Sequence, residues 1–279
     1  AHFVAEYDSS DDILRLHVGH QCASDPSEFI KEGDVCATNG VAIPNDLHGM
    51  LVATTDIGVI GRYEINAQTG AIVDQKVVYD ERLYGGPALY TFKGNHHLES
   101  GNSLWWLSFG LLDELRVQGI EDVYANYQHR VVALEDLPST PPHLTRVNSS
   151  TYDIEDSYAF PAGRFASSPT FIPSNTASDN PDAGYLFCIV LSDDQSTFNS
   201  SGDEVWIFDA LNLEQGPICR LGHSNLNLPL TLHTCYIEEL TERNSQYLIS
   251  VREDLEPRIA SMNQTNKNLF EQEVFSRFY

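Results

Sequence analysis

Short apolar runs alternate with polar and turn-forming residues along most of the chain, and the apolar spacing rarely settles into the 3.6-residue period of a helix. Runs rich in Val, Ile, Tyr, Phe and Thr fall at Ile13–Val18, Gly58–Ile65, Ile72–Tyr79, Ala88–Phe92, Arg130–Leu134, Pro169–Ile172, Tyr185–Leu191, Glu204–Phe208 and Leu228–Tyr236. Arg62-Tyr-Glu-Ile is followed by the turn Gln68-Thr-Gly70 and a second run, the signature of an antiparallel hairpin. Such a meander predicts an all-β fold: a sandwich, a barrel or a propeller. The C-terminus differs. Leu269, Phe270, Val274 and Phe278 share one stripe and predict a helix over Asn266–Phe278. No repeat or linker interrupts the pattern, and Leu137–Pro142 and Ser174–Ala183 read as loops.

Composition narrows the function classes. The 279 residues are 42% hydrophobic, which is globular usage, and the net charge of −24 argues against nucleic acid and anionic membrane surfaces as partners. No apolar stretch reaches the roughly 20 residues of a membrane helix. Five cysteines (Cys22, Cys36, Cys188, Cys219, Cys235) without a CxxC pair predict buried thiols in a reducing compartment.

The familiar catalytic signatures are absent: no GxSxG elbow, no GxxxxGK[ST] loop, no GxGxxG after a strand and no HExxH. Asp179, Asp182, Asp193 and Asp194 fit no EF-hand spacing and read as a solvated loop. The run Ser103-Leu-Trp-Trp-Leu-Ser-Phe-Gly-Leu-Leu-Asp113 reads as a core strand, ahead of a membrane-dipping patch or the wall of an apolar tunnel. His233 lies mid-run in Leu228–Tyr236, where an imidazole is more often a core or surface residue than a metal ligand.

Three ordered motifs shift that balance. Pro229-Leu-Thr-Leu-His233-Thr, the opening His2-Phe-Val-Ala-Glu-Tyr-Asp8, and Ser167-Ser-Pro-Thr-Phe-Ile-Pro173 followed by Asp182-Ala-Gly-Tyr-Leu and Val205-Trp-Ile-Phe-Asp209-Ala occur in order. Together with the Arg62 hairpin they resemble the C-terminal half of the carotenoid cleavage oxygenases, the family that includes the retinal isomerohydrolase. The resemblance implies that residues 1–236 are the C-terminal part of a seven-bladed β-propeller, followed by an extension, 237–279, that holds the helix. It implies an Fe(II) centre of four histidines on the propeller axis, with His2 and His233 inheriting two of the ligand positions.

The chemistry so implied is oxidative cleavage of a C=C bond in a carotenoid, apocarotenoid or stilbene, giving two carbonyl products. Neutral imidazoles suit Fe(II) and leave positions open for O₂, while an apolar polyene or stilbene needs only an apolar tunnel. Family glutamates that orient the ligands correspond here to Glu81 and Ser168. Ser168, Ala5 and Thr234 replace the family's Glu, Asn and Gly. The upstream ligand motifs have no counterpart; His48 falls in the wrong order, and His96-His97 sits in a polar loop. The expectation is therefore a chain that works with a missing N-terminal half, in the cytoplasm or peripherally at a membrane. The alternative is a degenerate, non-catalytic propeller-like binding module that has lost iron.

Overall fold

The computed structural model describes residues 2–8, 10–21, 29–94, 98, 101–175, 179–192, 202–223, 225–240 and 249–277. These fall into two compact units, Ala1–Tyr236 and Ile237–Tyr279. The first unit is built of three antiparallel sheets. The first sheet runs in order β1 (His2–Asp8), β2 (Ile13–His20), β3 (Val59–Asn66) and β4 (Ile72–Tyr79). The second contains β5 (Pro87–Phe92), β6 (Ser103–Ser108), β7 (His143–Asn148) and β8 (Ile154–Ala159). The third orders β10 (Thr170–Pro173), β11 (Gly184–Ser192), β12 (Glu204–Asp209) and β13 (Cys219–Gly222), with short β9 (Arg164–Ala166) paired to β11.

Each sheet is a meander whose neighbours in space are neighbours in sequence, as turn chemistry dictates. At the β3–β4 hairpin, Asn66 Oδ1 accepts from the N–H groups of Gln68 and Thr69 (3.2 and 2.9 Å), and Gly70 takes a φ of 71°. That conformation costs a side-chain-bearing residue more than glycine.

The second sheet is a party wall between the other two. Period-2 alternation sends Leu104 and Trp106 to one side, where they pack with Val4 and Ile60 of the first sheet. Trp105 and Leu107 go to the other, against Leu186, Cys188, Val190, Trp206 and Phe208 of the third. Every residue of β6 is buried, which explains its unbroken apolar run. The inner strands continue the series: β1 touches β5, and β5 touches β10, where the Phe171 N–H donates to Thr91 Oγ1 (3.1 Å). Gly58 makes the close approach between the first sheet and the 3₁₀ turn Glu81–Leu83, since a Cβ there would lie 1.6 Å from the Leu83 carbonyl oxygen.

Charge is segregated across the first sheet. The register places Glu6, Arg15, Arg62, Glu64, Asp74 and Lys76 on the face turned to the second sheet. Lys76 there reaches Asp153 (2.7 Å), and the buried Glu6 carboxylate pairs with His17 Nε2 (2.8 Å).

Four expectations are corrected. Arg130–Leu134 is no strand: the Val131 and Val132 N–H groups donate to the Asp56 carboxylate (2.8 and 3.0 Å), and the Arg130 N–H donates to the Tyr127 carbonyl, which takes three of its donors from any ladder. Leu228–Tyr236 is not a strand either. Pro229 has no N–H, and the Leu228 N–H donates to Asp203 Oδ2 (2.7 Å). Helix also begins earlier than predicted: α2 (Val251–Ile259) and α3 (Gln264–Leu269) precede a π turn at Phe270–Val274, while a short α1 (Gln118–Tyr124) lies between β6 and β7. Of the four described cysteines, Cys36 and Cys188 are buried but Cys219 and Cys235 are exposed. Among the described residues no helix is long and apolar enough to cross a membrane.

Candidate functional site

The segment carrying His233 is held against the lead-in to β10 by hydroxyl chemistry. Ser167 Oγ donates to the Thr231 carbonyl (2.7 Å) and accepts from the Thr231 N–H (2.7 Å), and the Ser168 N–H donates to the same carbonyl (3.2 Å). Thr234 Oγ1 donates to the carbonyls of Ser168 and Pro169 (3.3 and 3.0 Å). The segment behaves as a strap tied to an inner strand, with the hydrogen bonds a ladder would have supplied. Neither Ser167 nor Thr231 stood out in the sequence as a supporting residue, because both lie in a run whose polar positions follow no strand or helix period.

This strap brings His233 to His2, the first residue of β1. The two imidazole centroids are 5.9 Å apart with planes inclined by 54°. Residues 231 positions apart in the chain therefore meet. Burial holds the His2 pKa below the usual histidine value, and the neighbouring His233 adds to the shift. The direction favours the neutral ring, the form that ligates a metal.

A cleft of about 280 Å³ opens beside the pair. β1 contributes Phe3, Val4 and Ala5, β5 contributes Tyr90, Thr91 and Phe92, and Ser168, His233, Thr234 and Cys235 line the strap side. Tyr90, its pKa raised by burial, stays a phenol and donates to the Phe3 carbonyl (2.9 Å).

Two predicted supporting residues part company. Ser168 lines the cleft, although its hydroxyl pairs with Thr234 Oγ1 (3.4 Å). Glu81 is exposed in the 3₁₀ turn after β4 and is not among the cleft residues. Its neighbour Asp80 instead chelates Arg82 through both carboxylate oxygens (2.7 Å each), and that contact depresses the Asp80 pKa. His48 closes a 3₁₀ turn at Asn45–Leu47, and Asp182 accepts from the Ser103 N–H (2.7 Å). His96-His97, Asp193 and Asp194 lie outside the described residues.

Two imidazoles have the right donor chemistry for Fe(II), at a separation compatible with both facing one ion. They fit as half of a four-imidazole set. Among the described residues no group of three or more His, Cys, Asp or Glu side chains could hold a metal.

A mostly β protein of three antiparallel sheets, in which a histidine of β1 meets a histidine of the strap beside a cleft, is the class that fold and site define. A family model described as retinal pigment epithelial membrane protein matches residues 59–238. The chain belongs to that family, the carotenoid oxygenases. Among solved structures, the cobalt-substituted ACO of Synechocystis matches at 14% identity with a TM-score of 0.42. An ACO/RPE65 chimera matches at 14% identity with a TM-score of 0.44. Each match covers 82% of this chain but 38% of the other, so this chain spans well under half the length of those chains. No curated protein matches.

Proposed function

We propose that the chain provides part of a propeller and half of the metal centre of a non-haem iron(II) dioxygenase. Its reaction is the cleavage of a C=C bond in an apolar carotenoid, apocarotenoid or stilbene to two carbonyl products. The observation that carries this reading is the meeting of His2 and His233, the two motif histidines, with His233 in the wall of the adjoining cleft. Iron(II), when bound, supplies the centre at which dioxygen is reduced as the double bond is cut.

The chain's own residues would do the rest. His2 and His233 hold the ion as neutral donors. The strap of Ser167 and Thr231 fixes where His233 stands, and Tyr90 and Phe92 offer apolar surface to a polyene. The remaining two imidazoles come from polypeptide outside this chain's residues, and seven blades is the count the resemblance implies.

The test is titration with Co(II) or anaerobic Fe(II), read by visible absorption and bound metal. His233→Ala is expected to abolish the binding that the native chain shows. If native chain and variant bind alike, His233 is no ligand.

A second reading, a binding module that has lost iron, is favoured by Ser168, Ala5 and Thr234 in the cleft wall. A hydroxyl at 168 brings no charge to the His233 ring. Ser168→Glu is expected to tighten metal binding by about 10–100-fold if the site is a weakened iron centre. An unchanged titration would favour the module.

A further inference from the structure

We propose that the dipeptide Tyr90-Thr91 of β5 sets the spacing of His2 and His233, each hydroxyl fixing one of the two elements that carry them. As a statement of placement, the inference rests on the hydrogen bonds below. As a statement about a metal centre, it rests on the reading of His2 and His233 given above.

The two imidazoles belong to different sheets. His2 opens β1, the edge strand of the first sheet, whose ladder runs to β2. His233 sits on the strap, which is tied through Ser167 and Ser168 to the lead-in of β10 and so to the third sheet. The ladder places His2 within its own sheet, and the strap ties place His233 beside another. How far apart the rings stand depends on what joins both sheets to the second, which lies between them.

β5 makes that join. Successive residues of a strand face opposite ways, so Tyr90 turns to the first sheet and Thr91 to the third. The Tyr90 hydroxyl donates to the carbonyl of Phe3, one residue from His2 (2.9 Å). Its ring lies nearly parallel to Phe92 (12°, centroids 6.3 Å apart) and edge-on to the fully buried Trp106 (5.2 Å), which holds the hydroxyl where it stands. On the other side, buried Thr91 Oγ1 accepts from the Phe171 N–H (3.1 Å), and the Phe171 ring stacks on Trp105 at 5.0 Å. Two residues before Phe171, the Pro169 carbonyl accepts from Thr234 Oγ1 (3.0 Å), and Thr234 adjoins His233.

Three hydroxyl hydrogen bonds, steadied by Trp105 and Trp106 of β6, thus lead from one imidazole to the other through two neighbouring residues. Metal ligands serve when their supports hold them to within about 0.5 Å of the working geometry. Tyr90 and Thr91 are positioning residues in that sense: they act on the rings through the main chain of β1 and β10.

The experiment is histidine-selective NMR of the metal-free protein, followed by Co(II) titration read by visible absorption. The ring-to-ring cross-peak of His2 and His233 is identified by its loss in His2→Gln and His233→Gln. Tyr90→Phe and Thr91→Val each delete one hydroxyl while keeping the shape of the side chain. Each is expected to lose the cross-peak and to weaken Co(II) binding by roughly tenfold or more. Thr91→Ser keeps the acceptor and should retain both. Tyr152→Phe is the control. It removes the hydroxyl bond from Tyr152 to the Gly61 carbonyl (3.1 Å), which joins the first and second sheets outside the cleft, and it should keep the cross-peak whatever it costs in stability.

A cross-peak that survives in either folded variant overturns the proposal, as does its loss in Thr91→Ser. Loss in Tyr152→Phe overturns it too, since general loosening of the seam would then explain the effect. Circular dichroism separates displacement from loss of fold, and Tyr90→Phe, at the less buried of the two sites, decides alone if Thr91→Val unfolds. A native protein without the cross-peak overturns the proposal and the histidine reading together. Cross-peaks that respond as expected in a protein that binds no Co(II) bear out the spacing and fail the metal reading alone. Unchanged Co(II) affinity in a variant that has lost the cross-peak overturns the proposal for the metal.

Discussion

Trp106→Ala is expected to destabilise the first unit by about 3–5 kcal/mol, the range for removing a large aromatic ring from a packed core. The ring has 0% exposure and meets Tyr90 edge-on, with centroids 5.2 Å apart. It fills the seam between the first and second sheets, with Ile60 on one side and Leu104 and Val147 beside it. Four antiparallel strands on each side are held rigid by their ladders, so the seam cannot collapse to refill the space. Chemical denaturation followed by far-UV circular dichroism measures the loss. Trp106→Phe should recover more than half of it. A cost under about 1 kcal/mol for the alanine variant would mean that the two sheets do not share this seam.

The second large effect is expected at Asp56. Its buried carboxylate accepts from three backbone donors: Ile57 N–H (2.8 Å) and Val132 N–H (3.0 Å) at Oδ1, and Val131 N–H (2.8 Å) at Oδ2. Asp56→Ala would strand those donors, and hydrogen bonds to a charged group contribute about 1.5–3 kcal/mol each. A loss of roughly 3 kcal/mol or more is expected. Asp56→Asn should recover part of it, because its carbonyl oxygen can replace Oδ1 while its NH₂ meets the Val131 N–H donor to donor. Hydrogen exchange should locate the damage at Val131 and Val132. Unchanged protection there would remove the clamp from the account.

What was legible in the sequence follows from where period-2 alternation is undisturbed. β2, β3, β4, β5, β11 and β12 sit near the runs that announced them, because each alternates or stays apolar between clear turn signals. β7 and β8 did not announce themselves. Their charged residues, Arg146, Glu155 and Asp156, satisfy one another or cap a turn, as when Asp156 accepts from the Leu213 N–H (2.5 Å). The Arg130 and Leu228 runs have strand composition but surrender their backbone donors to Asp56 and Asp203. Composition reports what a side chain prefers and is silent on which carboxylate will claim its N–H.

The site was legible to a similar depth. His2 meets His233 ring to ring, and His233 and Ser168 line one cleft, which is a matter of placement and not of role. Glu81 does not line it, because its turn is set by Asp80 and Arg82. The buried His17–Glu6 pair carried one local signal: two polar residues at positions where the alternation calls for core.

The strap has a consequence for the order of folding. Nearly all strand pairing in the first unit joins consecutive strands, and such hairpins form in about 1–10 μs once their turns are set. The Ser167–Thr231 ties span 64 residues, and the His2–His233 meeting spans almost the whole unit. Chain entropy places closures of that length after the local ones. The sheets should therefore be in place before the histidines meet, which makes the cleft the last part of the unit to form and the first to open. If His2 and His233 hold a metal as proposed, metal added during refolding should accelerate only the final phase, and stripping it should loosen the strap while the sheets stay folded.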